Sequence, residues 1–268
     1  MRPIDLANGW NRAILALTGV AGAIGIAFTI WLDRDLFLAV AAGGTTFLSW
    51  ALARELDPDR QVSAIVAAVA GGVLALVGMP TALLPYTALL MSARLIAETT
   101  GRRPLPTDIG AMVILATLIS FTPLGWVMGF GLAIAIYVDD RMADVHSRRA
   151  LLGAIAGAVG ASAVITLTDA LPESLPEIRP LLTAIIGILT LTAWVREPVE
   201  PVSFVDSRNK RFLTKDRLHA ARATAGLLIF VGGLVSGETA RVVGPMAVVR
   251  GIALVSSEIA RFGRRRRG

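Results

Sequence analysis

The chain has no cysteine, few aromatic residues and little charge. Without cysteine it can form neither disulfide bonds nor thiolate metal sites. Only 17% of its 268 residues are charged, whereas 54% are hydrophobic. A water-soluble domain of this size needs more polar side chains than that to cover its core. The composition therefore excludes an ordinary soluble protein.

In place of charge, the sequence contains apolar runs about as long as a bilayer crossing. Because every backbone amide in hydrocarbon must be hydrogen-bonded internally, such runs form transmembrane helices. We predict an all-α, polytopic transmembrane bundle of about ten short helices, forming one integral membrane domain over 1–268. The predicted crossings are 10–32, 36–53, 62–79, 81–97, 108–122, 124–138, 150–170, 178–195, 218–235 and 239–257. The first is predicted to be a retained anchor, since its run is too long for a signal-peptide core.

The apolar stretch 109–138 contains one interruption, Thr122-Pro123-Leu124-Gly125. A single helix over this stretch would be about 45 Å long, well beyond a hydrocarbon core of about 30 Å. We therefore predict two short helices that meet at Pro123 and Gly125, with the turn below the membrane surface. Glycine pairs such as Gly125 with Gly129 are predicted to form helix-packing surfaces.

Basic residues predict the orientation of the bundle. Lys and Arg number 26 against 20 Asp and Glu, which gives a formal net charge of +6. With both termini in the cytoplasm, nearly all of these cations fall on the cytoplasmic side, as the positive-inside bias requires. The sequence thus predicts a multi-pass protein of the cytoplasmic (inner) membrane. Its two halves, 1–122 and 124–268, are candidates for an inverted repeat.

Two basic segments, the loop 196–217 and the tail 261–268, are predicted to lie in the cytoplasm. The cations of the loop are Arg208, Lys210, Arg211, Lys215 and Arg217. Each cation near an anionic membrane surface contributes about 1 kcal/mol of attraction, so we predict contact with anionic lipid headgroups. Nucleic acid is the less expected partner, because nothing in these segments indicates base-stacking aromatic side chains in a groove. Nothing in the sequence indicates an oligomeric state.

Two acidic clusters occupy predicted cytoplasmic loops. Their members are Glu55, Asp57 and Asp59 after the second span and Asp139, Asp140 and Asp144 after the sixth. Carboxylate oxygens are the ligands that Mg²⁺ prefers, and bound Mg²⁺ often bridges to a substrate phosphate. Asp140 and Asp144 would share a face if the sixth helix continued through them. In the simpler interpretation, Asp57 and Asp59 form a turn around Pro58 and are neutralised by neighbouring arginines.

The positions of these clusters resemble those in UbiA-type prenyltransferases, whose aspartate-rich motifs follow the second and sixth helices. The resemblance implies a metal-dependent membrane transferase or hydrolase that acts on a phosphorylated, isoprenoid-like lipid. Under this alternative the six carboxylates would be Mg²⁺ ligands. The segment 55–59 lacks the paired aspartates that open the first motif of that family, and Asp140 and Asp144 match only the DxxxD part of the second.

A second resemblance covers the predicted hairpin 85–110, which joins the fourth and fifth spans and contains Pro85, Glu98 and Gly110. It is similar to the repeat end of EamA-type drug/metabolite transporters, which have ten helices, cytoplasmic termini and inverted halves. The resemblance implies a carrier. The nearest counterpart in the second half, Pro245 with Glu258, falls in the tenth span, where the family pattern would place it in the ninth.

Arg250 is the cation farthest from a predicted span end, about 12 Å from the inner end of its helix. An arginine at that depth faces a protein or water cavity and marks a candidate substrate path. Our leading hypothesis is a carrier for a small or lipid-like, anionic or neutral solute, with Arg250, Pro123 and Gly125 along its path. The alternatives are the metal-dependent enzyme and a structural or assembly subunit of a membrane complex. Apart from Mg²⁺ in the enzyme alternative, no cofactor is indicated.

Overall fold

The computed structural model describes residues 9–33, 35–77, 82–99, 104–122, 125–143, 146–168, 204–206, 211–235, 244–252 and 255. Within these residues the fold is helical apart from one short β-hairpin, which confirms the predicted all-α class. The helices are α1 (Gly9–Leu32), α2 (Phe37–Leu56), α3 (Gln61–Leu76), α4 (Leu83–Ala97), α5 (Pro106–Ile119), α6 (Gly125–Arg141), α7 (Arg148–Thr168), α8 (Lys215–Val235) and α9 (244–252). The strands are β1 (Phe204–Asp206) and β2 (Arg211–Phe212).

The helices α1 to α8 occupy places where the sequence predicts spans, and their ends differ from the predicted ends by only a few residues. The helix α9 lies within the predicted span 239–257. The predicted span 178–195 lies outside the described residues. The predicted break between the fifth and sixth helices is confirmed: α5 ends at Ile119 and α6 begins at Gly125. A methyl group on Gly125 would collide with the carbonyl oxygen of Ile119, so the helices meet where only glycine fits.

Local hydrogen bonds explain where several helices begin and end. Asp35 Oδ1 accepts a hydrogen bond of 2.9 Å from the Phe37 N–H at the start of α2. Asp108 Oδ2 accepts one of 2.9 Å from the Leu105 N–H at the start of α5. Both carboxylates satisfy N–H groups that have no partner within the helix. At the other ends, Asp33 (φ 49°) and Glu98 (φ 54°) follow α1 and α4 in the left-handed conformation that terminates many helices.

Among the residues that the structure describes, three helices are long and apolar enough to cross a membrane: Gly9–Leu32, Phe37–Leu56 and Arg148–Leu167. The helices Gln61–Leu76, Leu83–Ala97 and Pro106–Ile119 are apolar but shorter. These lengths and compositions are compatible with a membrane protein. A bundle of about ten crossings stays a prediction.

The helix α3 has its small residues inside and its branched aliphatic residues outside. Its buried residues are Ser63, Ala64, Ala67, Ala68, Gly71, Gly72 and Ala75. Its exposed side chains include Val62, Val66, Val69 and Val73, which form one stripe at helical spacing. The helix α7 repeats the pattern, with Gly153, Ala154 and Gly157 buried and Leu152, Ile155 and Val159 exposed. A soluble helix has the opposite distribution, whereas close packing through small residues is typical of helices in lipid.

The chain divides into two compact units. The first comprises 1–83 and 241–268, and the second comprises 84–240. In the first unit α2 packs against both α1 and α3, and in the second α5, α6 and α7 pack against one another while α8 packs on α6. These units are defined by contacts between residues, whereas the predicted halves 1–122 and 124–268 are defined by an inverted repeat. The inverted repeat stays a prediction.

The segment predicted as a plain basic loop, 196–217, contains more structure than expected. β1 and β2 pair antiparallel, with Phe204 opposite Phe212 and Asp206 opposite Arg211. The helix α8 then begins at Lys215, within the predicted loop. Strands of two or three residues are too short for alternation of side chains to reveal them in a sequence.

Candidate functional site

A buried ionic centre in the second unit joins three helices through Arg217. The Arg217 Nη1–H donates a hydrogen bond of 2.6 Å to Asp139 Oδ1 and one of 3.1 Å to the Ile96 carbonyl oxygen. Its Nε lies 3.3 Å from Glu98 Oε2. Arg217, Glu98 and Asp139 are 7%, 6% and 8% exposed. We call these three side chains the Arg217 centre.

Helix ends bring the members of the Arg217 centre together. Glu98 follows the last residue of α4, Asp139 lies in the last turn of α6 and Arg217 lies in the first turn of α8. The Glu98 N–H donates to the Leu95 carbonyl oxygen at 3.1 Å, which terminates α4 and fixes the glutamate backbone. Polar groups at helix ends thus converge on one guanidinium.

The Arg217 centre lies beside an apolar cluster of Ile96, Ala97, Ala135 and Ala221. In such surroundings water screens charges weakly, so an ion pair is strong once formed and a lone charge is costly. Removing one partner of a buried pair typically destabilises a protein by about 3–5 kcal/mol. The three side chains therefore depend on one another for burial.

Asp140, the neighbour of Asp139, attaches a different helix. Its Oδ1 accepts a hydrogen bond of 2.6 Å from the Ser147 N–H, immediately before α7. His146 Nδ1 lies 2.8 Å from the Asp140 carbonyl oxygen and 3.8 Å from its Oδ2. Consecutive carboxylates at the end of α6 thus hold α8 and α7.

In the first unit, the turn between α2 and α3 also buries charge. Glu55 is 6% exposed and Asp57 is 5% exposed, whereas Asp59 is exposed. Asp57 Oδ2 lies 3.5 Å from Arg60 Nη1. The Asp57 backbone ends α2, with its N–H donating to the Ala53 carbonyl oxygen at 2.8 Å. This segment forms the turn that the simpler interpretation predicted, and it buries two carboxylates there.

Arg54 continues this polar surface towards α1. Its guanidinium carbon lies 4.9 Å from the centre of the Trp50 ring, within cation–π distance. Its Nη1–H donates a hydrogen bond of 3.4 Å to Asn11 Oδ1 on α1. The start of α1 and the end of α2 are thus joined by polar side chains.

Arg250, the predicted substrate-binding cation, lies in α9 of the first unit and is 5% exposed. Its neighbours Met246, Ala247 and Val249 are also buried. The structure therefore buries Arg250, and its role along a substrate path stays a prediction. Gly125, predicted to line the path, is buried at the start of α6, and Pro123 lies outside the described residues.

The predicted metal ligands fall into the two units. Glu55, Asp57 and Asp59 belong to the first unit, whereas Asp139 and Asp140 belong to the second and Asp144 lies outside the described residues. The helix α6 ends at Arg141, so the continuous helix that would align Asp140 with Asp144 is not formed. In the described part of the chain, no three carboxylate or imidazole side chains come together as a metal site requires.

The cations predicted to bind lipid headgroups have different surroundings. Arg217 is buried in its ionic centre and Lys215 is half-buried at the start of α8. Arg211 lies in β2, where the backbone alone is described, and Arg208 and Lys210 lie outside the described residues.

Sequence analysis missed the inward direction of Arg217, although a signal existed. Arg217 continues the buried stripe that Ala221, Ala225 and Leu228 form along α8 at spacings of three and four. A charged residue in register with such a stripe points to the core rather than to solvent. Glu98 carried no comparable signal, because its direction depends on a left-handed backbone after α4.

Compared with models of protein families, with curated protein sequences and with solved structures, the chain matches none of them.

Proposed function

We propose that the protein is a multi-pass protein of the cytoplasmic membrane that carries a small or lipid-like, anionic or neutral solute. The observation that carries this proposal is the burial of Arg250 in a chain whose helices present aliphatic side chains outward. An ionised group inside a membrane bundle is costly, and such groups usually face a substrate path or a partner charge.

The outward-facing valines of α3 and the leucine and isoleucine residues of α7 support the membrane part of the proposal. The Arg217 centre supports the carrier part. Carriers move helices between discrete arrangements. An ion-paired centre at the ends of three helices can be formed in one arrangement and broken in the other. Cytoplasmic termini and about ten crossings remain part of the proposal.

Uptake by purified protein in lipid vesicles tests this function. Radiolabelled organic anions and neutral metabolites are the probes, and empty vesicles give the background. We expect uptake of at least one solute class, with Arg250→Ala reducing it at least tenfold and Arg250→Lys less, because lysine keeps the charge but loses the planar fork. Arg149→Ala, at an exposed position, is the control and should retain uptake. Absence of uptake for every class, or full uptake by Arg250→Ala, would remove the proposal.

The metal-dependent enzyme has less support, because Asp139 and Asp140 hold helices and Asp57 pairs with Arg60. A simple measurement separates it from the carrier. If it is correct, Mg²⁺ raises the melting temperature of the detergent-solubilised protein, and Asp57→Ala combined with Asp140→Ala abolishes the rise. We expect no such rise.

A further inference from the structure

The helices α6 and α8 touch at two separate levels. At the start of α8, Arg217 donates a hydrogen bond to Asp139 in the Arg217 centre. Farther along α8, Leu228 packs on Gly131 of α6, where a methyl group on the glycine would lie 2.5 Å from Leu228 Cδ1. Positions 217 and 228 are about 16 Å apart along the helix axis. An ionic contact thus holds α8 at one end, and a close apolar contact holds it farther along.

Between these two levels the helices meet through small side chains. Ala135 of α6 and Ala221 of α8 are fully buried and belong to one cluster with Ile96 and Ala97 at the end of α4. The burial of an alanine side chain removes little apolar surface from water, so exposing it again costs little free energy. The start of α8 can therefore separate from α4 and α6 with little loss of apolar packing.

The Arg217 centre is suited to a contact that opens and closes. The cost of taking its charges out of water offsets most of their attraction, so such a centre adds little net stability compared with apolar side chains of similar size. When water enters, that cost is recovered. Glu98 also favours opening, because its φ of 54° is a strained conformation for a residue with a side chain, and release from Arg217 lets its backbone relax.

We propose that the Arg217 centre is a latch. When the latch is closed, it holds the start of α8 against the ends of α4 and α6. When it opens, α8 pivots on the contact between Leu228 and Gly131, and water reaches Ala135 and Ala221. Opening admits the solute from the side on which these helix ends lie, the predicted cytoplasmic side. This inference rests on the proposed carrier function and specifies how one end of its path is closed.

Labelling of single cysteines tests the latch without any solute, since the chain has no cysteine of its own. Ala135→Cys reports on the contact that should open, because a maleimide reacts with a thiol that water reaches. Ala161→Cys is the matched control: Ala161 is also fully buried, but it lies on α7 against Gly129. The labelling rate of each cysteine is measured in the otherwise wild-type protein and together with Arg217→Met.

We expect Arg217→Met to raise the labelling rate of Ala135→Cys by about tenfold or more and that of Ala161→Cys by less than about twofold. Glu98→Gln replaces Arg217→Met if that variant fails to fold, because it removes one charge and keeps the shape of the side chain. An unchanged rate at Ala135→Cys would overturn the proposal. Equal increases at both positions would also overturn it, since they would report unfolding of the whole unit.

Vesicle uptake separates the latch from the carrier function and from a purely structural contact. A reducible cross-link between Ala135→Cys and Ala221→Cys, which belong to the same cluster, would hold α8 on α6. We expect the cross-link to lower uptake about tenfold and its reduction to restore uptake. Full uptake with the cross-link in place would remove the latch and keep the carrier. Faster labelling at Ala135→Cys alone, without uptake of any solute by wild type, would keep the opening contact and remove the carrier.

Discussion

Asp139 on α6 accepts a 2.6 Å hydrogen bond from Arg217 on α8, although 78 positions separate the two residues in the chain. Both side chains are buried, and Glu98 completes the charge pairing from the end of α4. This bond links distant segments of the second unit at a point where both side chains are largely shielded from bulk water. Its loss should be felt by all three helices.

We predict that Arg217→Ala lowers the stability of the solubilised protein by about 3–5 kcal/mol, because it leaves two buried carboxylates without the guanidinium. Asp139→Asn should lower it by less, because Arg217 keeps Glu98. The double variant Asp139→Leu with Arg217→Met should lose less stability than the sum of the two single variants, since the two side chains bond to each other, although it leaves Glu98 without Arg217. Thermal unfolding in detergent gives the comparison. Arg149→Ala, at an exposed position, is the control. Additive losses in the double variant would show that the pair does not act as a unit.

Whether Glu98→Gly raises or lowers stability tests the importance of the ion pair between Glu98 and Arg217. Its φ of 54° favours glycine, so Glu98→Gly alone would stabilise the protein by up to about 1 kcal/mol if backbone conformation were all that mattered. We expect Glu98→Gly to destabilise the wild-type protein, because Arg217 loses a buried partner. In an Arg217→Met background the same substitution should become neutral or stabilising. The measurement is the melting temperature of wild type, Glu98→Gly, Arg217→Met and the double variant. A decrease caused by Glu98→Gly in both backgrounds would contradict the prediction.

The turn between α5 and α6 should tolerate no side chain at Gly125, where α6 begins. Gly125→Ala would place a methyl group against the Ile119 carbonyl oxygen, and we expect destabilisation of more than about 2 kcal/mol. Gly110→Ala is the matched control, because nothing lies within 4 Å of a methyl group there. That change should stabilise α5 by about 0.5–1 kcal/mol. Thermal unfolding of both variants is the measurement, and similar behaviour of the two would refute the packing argument.

The absence of cysteine allows a topology test without background labelling. A membrane-impermeant maleimide should label Ser174→Cys in intact cells, because the stretch around it is predicted to face outward. Ser207→Cys, in the basic loop, should react only after the membrane is permeabilised. Labelling of Ser207→Cys in intact cells would reverse the proposed orientation.

The positions of helices could be predicted well, because long apolar runs and their polar boundaries are local features of a sequence. The break at Gly125 was predictable for the same reason, since one helix over 109–138 would exceed the bilayer thickness. The hairpin of β1 and β2 was missed because its strands are too short for periodicity.

Side-chain partners were harder to predict than helix positions. Asp139 and Asp140 were adjacent in sequence and were given one shared role, yet they hold different helices. Their directions differ by about 100° around the helix, and which neighbour each direction meets is decided by tertiary packing. The burial of Glu55 and Asp57 could not be foreseen either, because Pro58 beside charged residues is equally typical of an exposed turn.

The two consecutive carboxylates of α6 have a mechanical consequence for the second unit. Asp140 secures the segment leading into α7, and Asp139 secures the first turn of α8. If α6 rotates about its own axis, both attachments must shift during the same movement. The beginnings of α7 and α8 are therefore both coupled to rotation of α6.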